Sequence, residues 1–453
     1  MNKVYFGYKN WGGDTMRKRF FKKALALTLA STMAFSMVGC GSSSKDSSEG
    51  KSDDGTITLN VWHQWSNDTN ELKGRYEEAV KAYEKENPKV KIKTETLDTE
   101  AYKTKINAEF AGDAKGIDVF YWWGAGTAKK LVDAGKVMPL DDYITDEVKS
   151  NMMEGATSAF EYDGKLYSVP MFSWYMTLFC NKALFEKAGA KLPNTYDELV
   201  DAVKKLEKIK GVTPMAAGAK DGWNAAFVYQ ALALREVGAT GVNDMLSGKK
   251  EFGDEGYTKA AEKVKDLYEM GAFGDNPLEQ GNDDANAAFE NGKAAMRIMG
   301  SWFANNVYTD KAATIKPEDV VALKIPTISD GKGEATDYCG GFVESFWVNN
   351  NTKYKEEAAK FAIYINEKMG VASYETGSGF SGWKTKADES KLNPLFIQIK
   401  DLLSEGKQGV LAWDTSLEAE PAAVHNEQVQ TLFADGADVK AFIEEHKAAI
   451  NGK

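Results

Sequence analysis

The residues best suited to chemistry in this chain are tryptophans that stand beside polar side chains where predicted strands end. The run Trp62, His63, Gln64, Trp65 is one example, and the pairs Trp223–Asn224 and Ser301–Trp302 are others. Aromatic faces carry partial negative charge and suit the C–H faces of a sugar ring, while polar groups at the rim pair with its hydroxyls. Any single ring could instead cap a core, because Trp is usually mostly buried, but the set favours a carbohydrate site that also includes Trp383.

Candidates for catalysis are sparse by comparison. The chain has three histidines and lacks the H-E-x-x-H, G-x-S-x-G and paired-cysteine metal motifs. Glu344 and Glu418 are the candidates for a glycosidase carboxyl pair, although surface or hydrogen-bonding roles are favoured for both. Asp283 and Asp284 are predicted to cap a helix rather than to hold calcium. The sequence therefore predicts a binding protein without enzymatic activity, metal or cofactor.

Alternating strand and helix patterns predict that these residues are positioned by an α/β fold. Strands are predicted over Thr56–Val61, Lys89–Thr96 and Asp118–Tyr121, with amphipathic helices between them. This alternation is typical of a largely parallel sheet, in which ligands bind beyond the carboxyl ends of the strands. The runs Trp62–Trp65 and Trp122–Gly124 both lie at such ends.

The stretch Val169–Lys182 is where we expect the chain to cross first from one lobe to another. Phe172, Trp174 and Tyr175 crowd its entrance, and an apolar strand is predicted to follow over Met176–Cys180. Because a strand needs no such cluster of aromatic residues, we place the mouth of the binding site here.

Two later crossings are predicted, near Asp337–Gly341 and over Gly377–Trp383. The second matches the dinucleotide fingerprint G-x-G-x-x-G by letter but follows a predicted helix, so its glycines are interpreted as a flexible connection. The rest is predicted to be helical, over Asn393–Glu405, Leu417–Phe433 and Val439–Ile450.

The first 40 residues have the pattern of an export signal. A basic cluster around Arg17 precedes an apolar run from Ala24 to Val38, too short for a comfortable membrane span. Met37–Cys40 resembles a bacterial lipobox, with Met where Leu is usual, which would make Cys40 the lipidated first residue of the mature chain. Residues 1–39 are thus a predicted signal peptide and residues 40–55 a flexible tether rich in Ser.

Charge excludes one class of partner. Seven of the 56 basic and one of the 67 acidic residues lie in residues 1–39, so the mature chain carries a net charge of −17. Nucleic acids require a basic face, which this composition does not supply. Besides Cys40 the chain has Cys180 and Cys339, both in or beside apolar strand-like runs; buried free thiols are favoured, and a bridge between them is left open.

From Thr56 to the C-terminus the chain resembles the extracellular solute-binding proteins of family 1, the carbohydrate-binding components of ATP-binding-cassette importers. The segments that carry this resemblance are Asp118–Gly126, Tyr167–Lys182, Ala288–Trp302 and Gly340–Val348, in that order and spacing. The resemblance implies a two-lobed periplasmic-binding-protein-like α/β fold with three hinge crossings and the ligand in the cleft. Residues 56–170 and 341–378 would form lobe 1, and residues 171–340 and 379–453 lobe 2.

The same resemblance implies the roles of individual residues. Trp62–Trp65 and Trp122–Gly124 would line the first lobe, Phe172, Trp174 and Tyr175 the hinge, and Trp223 and Trp302 the second lobe. Gly340, Gly341 and Trp383 would lie on the returning crossings. We expect a monomeric lipoprotein on the outer face of the membrane that closes around an oligosaccharide and delivers it to a permease.

Two other functions stay open at this point. One is an exported glycoside hydrolase, which would release new reducing ends from oligosaccharides. The other is a binder of a non-sugar solute, such as a polyamine or a peptide, which would need an acidic or strand-edge pocket rather than indole rings.

Overall fold

The computed structural model describes residues 55–67 and 71–452. The predicted signal peptide, Cys40 and nearly all of the tether lie outside these residues. Among the helices of the described part, none has the length and apolar character needed to cross a membrane.

The strands build two main sheets and a small hairpin. The strands are β1 (Ile57–His63), β2 (Val90–Thr96), β3 (Val119–Trp123), β4 (Glu161–Tyr162), β5 (Lys165–Leu166), β6 (Phe172–Asn181), β7 (Thr213–Met215), β8 (Ala294–Gly300), β9 (Val320–Leu323), β10 (Asp337–Phe342), β11 (Glu344–Val348), β12 (Phe380–Ser381) and β13 (Gln408–Val410).

The helices cover the faces of these sheets. The helices are α1 (Glu71–Glu86), α2 (Thr99–Ala111), α3 (Gly126–Asp133), α4 (Asp146–Asn151), α5 (Lys182–Ala188), α6 (Tyr196–Leu206), α7 (Gly222–Val237), α8 (Ala239–Leu246), α9 (Glu255–Glu269), α10 (Asn282–Glu290), α11 (Phe303–Thr309), α12 (Lys355–Glu375), α13 (Pro394–Ser404), α14 (Trp413–Ser416), α15 (Ala419–Thr431) and α16 (Val439–Asn451).

The first sheet has the order β11-β3-β1-β2, and the second the order β13-β10-β6-β8-β7, with β9 and β12 also paired to β6. In the first sheet β1 is parallel to β2 and β3, as the alternating pattern predicts, and β11 returns antiparallel to β3. The carboxyl ends of β1 and β3 therefore meet the beginning of β11 at one edge.

Two separate hydrophobic cores lie against these sheets. The first core contains Val61, Phe120 and Phe346, and the second contains Leu178 and Met296. The chain passes between them inside β6, where Phe172 belongs to the first core and Trp174 to the second. It passes again between β10 and β11 and after α12, while the exact lobe boundaries stay a prediction.

Several local predictions are confirmed. Thr195 and Glu198 form the expected capping box of α6, in which each side chain accepts a backbone N–H of the other residue. The hairpin of β4 and β5 turns at Asp163 and Gly164, both with positive φ. Cys180 and Cys339 are buried free thiols.

Two predicted elements have different bounds. The strand expected over Met176–Cys180 begins at Phe172, so its aromatic residues lie within the strand rather than before it. The helix expected over Leu417–Phe433 is α15, which is shorter, over Ala419–Thr431, and follows the short helix α14 that ends at Ser416. Pro421 fits this start, because proline lacks an N–H and is tolerated only in the first turn of a helix.

Candidate binding site

One edge of the first sheet collects polar and aromatic side chains on one face. Glu344 pairs with Trp123, and Phe346 with Tyr121, so these four side chains share a face. His63 ends β1 on the same face, with its ring centroid 6.4 Å from that of Phe346. The carboxyl ends of the parallel strands thus present a histidine, a tyrosine, an indole and a carboxyl group together.

Several polar atoms at this edge are buried without a hydrogen-bond partner among the described residues. An unpaired buried polar atom costs roughly 1–3 kcal/mol, and native proteins tolerate few of them. Such a group at a single sheet edge indicates a place where a ligand supplies the missing partners. The atoms are His63 Nε2, Gln64 Oε1, Tyr121 Oη and Glu344 Oε2, and Trp122 Nε1, on the opposite face of β3, is also unpaired.

The hydrogen bonding of His63 fixes what it can offer to a ligand. Its Nδ1 accepts the backbone N–H of Trp65 at 3.2 Å. Burial, assisted by the nearby Lys73 charge, lowers the pKa of His63 to about 3, so the imidazole is neutral at pH 7. With Nδ1 acting as acceptor, the single proton lies on Nε2, and His63 is a hydrogen-bond donor toward the site.

The pKa of Glu344 is shifted in the opposite direction to that of His63. Burial raises the pKa of its carboxyl group to about 8, an effect that the neighbouring Tyr121 hydroxyl and Trp123 indole oppose. The carboxyl group therefore retains its proton at neutral pH and can both donate to and accept from a hydroxyl group.

The second core presents a cluster of aromatic rings instead. The rings of Trp174 and Phe227 are stacked with centroids 5.3 Å apart, and Trp302 meets Trp174 edge-on at 5.0 Å. Trp223, at the start of α7, lies 5.3 Å from Phe227 and 6.4 Å from Trp302. Trp223 and Trp302 are only partly buried, so part of each indole is free to contact a ligand.

Gly300 makes the position of Trp302 possible. A methyl group added to Gly300 would lie 2.0 Å from the indole of Trp302, so only glycine lets this ring fold over the end of β8. The residue type alone does not indicate this role. A glycine two residues before a tryptophan at a strand end is the only signal that could have indicated it.

The polar residues beside these rings are already paired within the protein. Asn224 Oδ1 accepts from Arg297 Nη2 at 3.2 Å, and its Nδ2 donates to Asn282 at 3.3 Å. Ser301 Oγ accepts the backbone N–H of Tyr175 at 3.2 Å. The structure thus places Asn224 and Ser301, both predicted to contact sugar, where they position the rings.

Alternation along β6 separates two other predicted residues. Trp174 faces Phe227, whereas Tyr175 packs against Tyr338 and Phe380, with centroids 5.3 and 5.2 Å away. Successive side chains of a strand point to opposite faces, so the two residues cannot line the same wall. Trp174 belongs to the aromatic cluster and Tyr175 to the back of the strand.

The remaining residues near the crossings are packed into the protein. Trp383 is 1% exposed, and its indole N–H donates to Pro170 O at 2.6 Å. Phe172 is also buried, in the first core. Gly340 pairs with Tyr175, and a methyl group there would lie 2.0 Å from Trp174 O. These residues hold the crossing segments together.

The other predicted residues are two tryptophans of the β1 end and two closely packed glycines. Trp65 packs against His63, with ring centroids 5.1 Å apart. Trp62 lies on the opposite face of β1, where Lys105 Nζ is 5.7 Å from its ring centroid. A methyl group on Gly124 would lie 2.3 Å from Ala159 O, and one on Gly341 would lie 2.6 Å from Leu411 Cδ2. Both glycines therefore permit close packing.

Lys103 links the two sides, and its residue type gave no signal for this role. Its Nζ lies 5.3 Å from the ring centroid of Trp123 and 5.9 Å from that of Trp223. It also forms an ion pair with Glu100 at 3.0 Å. Indoles that belong to different halves thus lie close enough to share one ammonium group.

The second side adds two unpaired acceptors that were also missed. Asp414 Oδ1 and Asn426 Oδ1 are buried without partners among the described residues. Burial raises the pKa of Asp414, while the charge of Lys103 lowers it. Asn426 lies beside Gly222, the residue before Trp223, so it borders the aromatic cluster.

Comparisons with known proteins identify the family and the fold. Residues 67–372 match the family described as bacterial extracellular solute-binding protein. A solved structure from work on xylan utilization by the thermophilic bacterium Caldanaerobius polysaccharolyticus is 36% identical, with a TM-score of 0.82, and the match covers 86% of this chain and 99% of that one. A chitin oligosaccharide binding protein, at 22% identity and a TM-score of 0.78, covers 88% and 98% and shares the fold.

Curated relatives are less similar in sequence. The multiple sugar-binding protein of Streptococcus mutans is 24% identical over 396 residues, which cover 83% of this chain and 86% of the relative. The galactooligosaccharide-binding protein of Bacillus subtilis is 28% identical over 385 residues, which cover 81% and 82%. The solved structures confirm the predicted two-lobed α/β fold.

Proposed function

The chain belongs to the family of bacterial extracellular solute-binding proteins, and we propose that it binds an oligosaccharide and delivers it to an ATP-binding-cassette permease. The supporting observation is the difference between the two sides of the site. One side holds polar atoms that the protein leaves unpaired, and the other holds partly exposed indoles. A sugar has hydroxyl groups for the first and C–H faces for the second.

The composition of the first edge favours a sugar over a non-sugar solute. His63 offers a donor, Gln64 an acceptor, and Glu344 both, which matches hydroxyl groups that donate and accept. A peptide would need a free strand edge, and a polyamine would need several ionised carboxylates. Relatives and neighbours whose names refer to multiple sugars, galactooligosaccharide and chitin oligosaccharide support the same substrate class.

Binding without hydrolysis is the proposed activity. Glu344 is buried at the sheet edge, whereas Glu418 is exposed and pairs with Lys129 at 3.8 Å. A glycosidase needs two carboxyl groups that flank the same bond. The different environments of Glu344 and Glu418 support a binder.

Transport would follow from closure of the two halves around the ligand. A sugar that contacts both sides favours the closed form by its extra contacts, and the segments that cross between the cores absorb the rotation. We propose that residues 56–170 and 341–378 form one lobe and residues 171–340 and 379–453 the other, with Trp383 packed in the core of the first. The proposed protein is an exported monomer, anchored through Cys40.

A fluorescence titration tests the function. The residues beside the site include Trp123, Trp174, Trp223 and Trp302, so binding should change the intrinsic emission. Xylo-, chito- and galacto-oligosaccharides of two to six units are titrated separately, and reducing ends are measured after a long incubation. Saturable binding of at least one series without new reducing ends is expected. No response to any series would contradict a sugar-binding role, and new reducing ends would support the hydrolase.

A further inference from the structure

The two halves of the molecule also meet at a place that carries none of the proposed sugar contacts. There the first residue of α3, Gly126, lies against the end of α14. A methyl group added to Gly126 would lie 2.2 Å from Leu417 O and 2.3 Å from Ser416 O. Helix α3 packs in the first core through Ala128, and α14 in the second through Trp413. The contact therefore joins the halves backbone to backbone.

The chain before Gly126 is held rigidly on the first side. The Ala125 N–H donates to Ala159 O at 2.6 Å, and Ala125 O accepts the Tyr162 hydroxyl at 2.6 Å. Ala125 has φ +52° and ψ −135°, a conformation that L-residues rarely adopt. Such a backbone persists only where surrounding contacts determine it, and it occurs preferentially at functional sites.

The opposing carbonyl groups are held just as firmly. The N–H groups of Leu417 and Ser416 donate to Trp413 O at 2.8 Å and Ala412 O at 2.9 Å. Trp413 is 1% exposed, which anchors α14 in the second core. Neither side can yield locally to an added methyl group, so the halves would have to separate.

Side chains around Gly126 strengthen this contact. The Thr127 hydroxyl donates across the boundary toward Thr415 O at 3.2 Å and Asp414 O at 3.5 Å. Lys129 and Glu418 add an exposed ion pair of the kind that contributes little. Because Asp414 belongs to α14 and carries a buried, unpaired carboxyl oxygen, the position of α14 against α3 determines where that oxygen lies.

We propose that Gly126 is a closure stop: the absence of a side chain there sets how far the halves approach, and thereby the affinity for ligand. Gly126 acts as a positioning residue that touches no sugar. This inference rests on the proposed function for its effect on affinity, but its effect on shape is independent of any ligand. The apparent affinity of a ligand that binds only the closed form is proportional to the fraction of molecules that are closed, so it falls when that fraction falls.

Gly126→Ala tests the stop, with Gly74→Ala as its matched control. Gly74 lies in α1 of the same half, and a methyl group there would meet nothing within 4 Å. Small-angle X-ray scattering of both variants and the wild type, with and without xylotetraose, gives the radius of gyration. Fluorescence titration with xylotetraose gives the dissociation constant. We expect Gly126→Ala to be more extended and to bind about tenfold more weakly, with the Gly74→Ala variant unchanged.

Thr127→Val provides a milder second variant, which keeps the shape of the side chain and removes its hydroxyl group. It should shift both quantities in the same direction by a smaller factor. If wild-type protein does not bind xylotetraose, the proposed substrate class is weakened and the radii without sugar still decide the stop. Equal radii of gyration for Gly126→Ala, Gly74→Ala and wild type in all conditions would overturn the proposal. If the wild type binds xylotetraose, an equal affinity of Gly126→Ala would overturn it too.

Discussion

The edge of the first sheet and the aromatic cluster of the second core treat polar groups in opposite ways. At the first edge, atoms of His63, Gln64 and Tyr121 are buried and left unpaired. Beside the aromatic cluster, Asn224 and Ser301 are paired within the protein and hold rings in place. The first edge is suited to directional hydrogen bonding, and the second side to stacking.

This difference shows that the residue type at a site does not fix its role. A polar residue beside a tryptophan can bind a ligand or can fix the indole, and only its partners distinguish the two. The second side is not wholly apolar, since Asp414 and Asn426 also have unpaired oxygens. Replacements on the two sides should therefore separate effects on stability from effects on affinity.

The largest effect is expected for Arg297→Met, which would test whether the paired polar groups are structural. The Arg297 side chain is fully buried and donates to Ala216 O, Asn224 Oδ1 and Asn282 Oδ1. Its loss leaves Ala216 O and Asn224 Oδ1 without their donor, while Asn282 Oδ1 keeps only Asn224 Nδ2, so the free energy of unfolding should fall by about 3–5 kcal/mol. Urea denaturation measures this. A variant as stable as the wild type would show that the paired polar groups beside the aromatic cluster are not structural, and the difference between the two sides would be lost.

Glu344→Gln tests the protonation assigned to the first edge. A carboxyl group whose pKa is higher in the folded than in the unfolded chain keeps a proton that the unfolded chain releases. With a folded pKa of about 8 against 4.5, Glu344 therefore lowers stability progressively as pH rises between these values. At 1.4 kcal/mol per pKa unit, the penalty is about 4 kcal/mol at pH 8 and approaches about 5 kcal/mol at higher pH.

The neutral Gln variant should lack this component of the pH dependence. Urea denaturation of variant and wild type at pH 5 and pH 8 measures it, and the stability difference between the two proteins should shift in favour of the variant at pH 8. The same difference at both pH values would contradict a buried, protonated Glu344.

Trp302→Ala tests the stacking side. Its indole is partly exposed and lies over Gly300, so truncation should weaken oligosaccharide binding by about 2 kcal/mol, or roughly 30-fold, with a smaller loss of stability. Fluorescence titration and thermal unfolding measure the two effects. Trp347→Phe, in the first core, is the control and should lower stability alone. Intact affinity with a large stability loss would show that Trp302 belongs to the core.

Tyr121→Phe should have the smallest effect, and the sign of its change in stability is the most informative result. The Tyr121 hydroxyl is buried and unpaired, so its removal should leave stability unchanged or raise it by about 1 kcal/mol. If the hydroxyl pairs with a sugar, affinity should fall by a similar amount. Urea denaturation and fluorescence titration check both. Lower stability together with unchanged affinity would exclude the hydroxyl group from the site.

Much of the fold could be predicted from local patterns. Alternation in Thr56–Val61 and the order of strands and helices indicate a parallel sheet, because side-chain period and connection length are local properties. The capping box of α6 was visible in two residues three positions apart. The limits of β6 and of α15 were harder, because apolar periodicity alone does not mark where an element ends.

The candidate site could be predicted only in part. Sequence drew attention to Trp174, Trp223 and Trp302, since large rings at strand ends are unusual enough to notice. It could not identify Lys103 or Asp414, whose residue types are common on helix surfaces and whose roles depend on distant neighbours. Nor could it tell that Trp383 is buried against Pro170, because a buried indole and an exposed one have the same letter.

By itself, the sequence determined the fold class, the family resemblance and the expectation that aromatic rings bind sugar. The tertiary structure decided which rings share a surface, which polar atoms are left unpaired, and that Gly126 lies against Ser416 and Leu417. Strand and helix periods are set by neighbours along the chain. Pairing of buried polar atoms and backbone contact are set by residues hundreds of positions apart, which only the folded chain brings together.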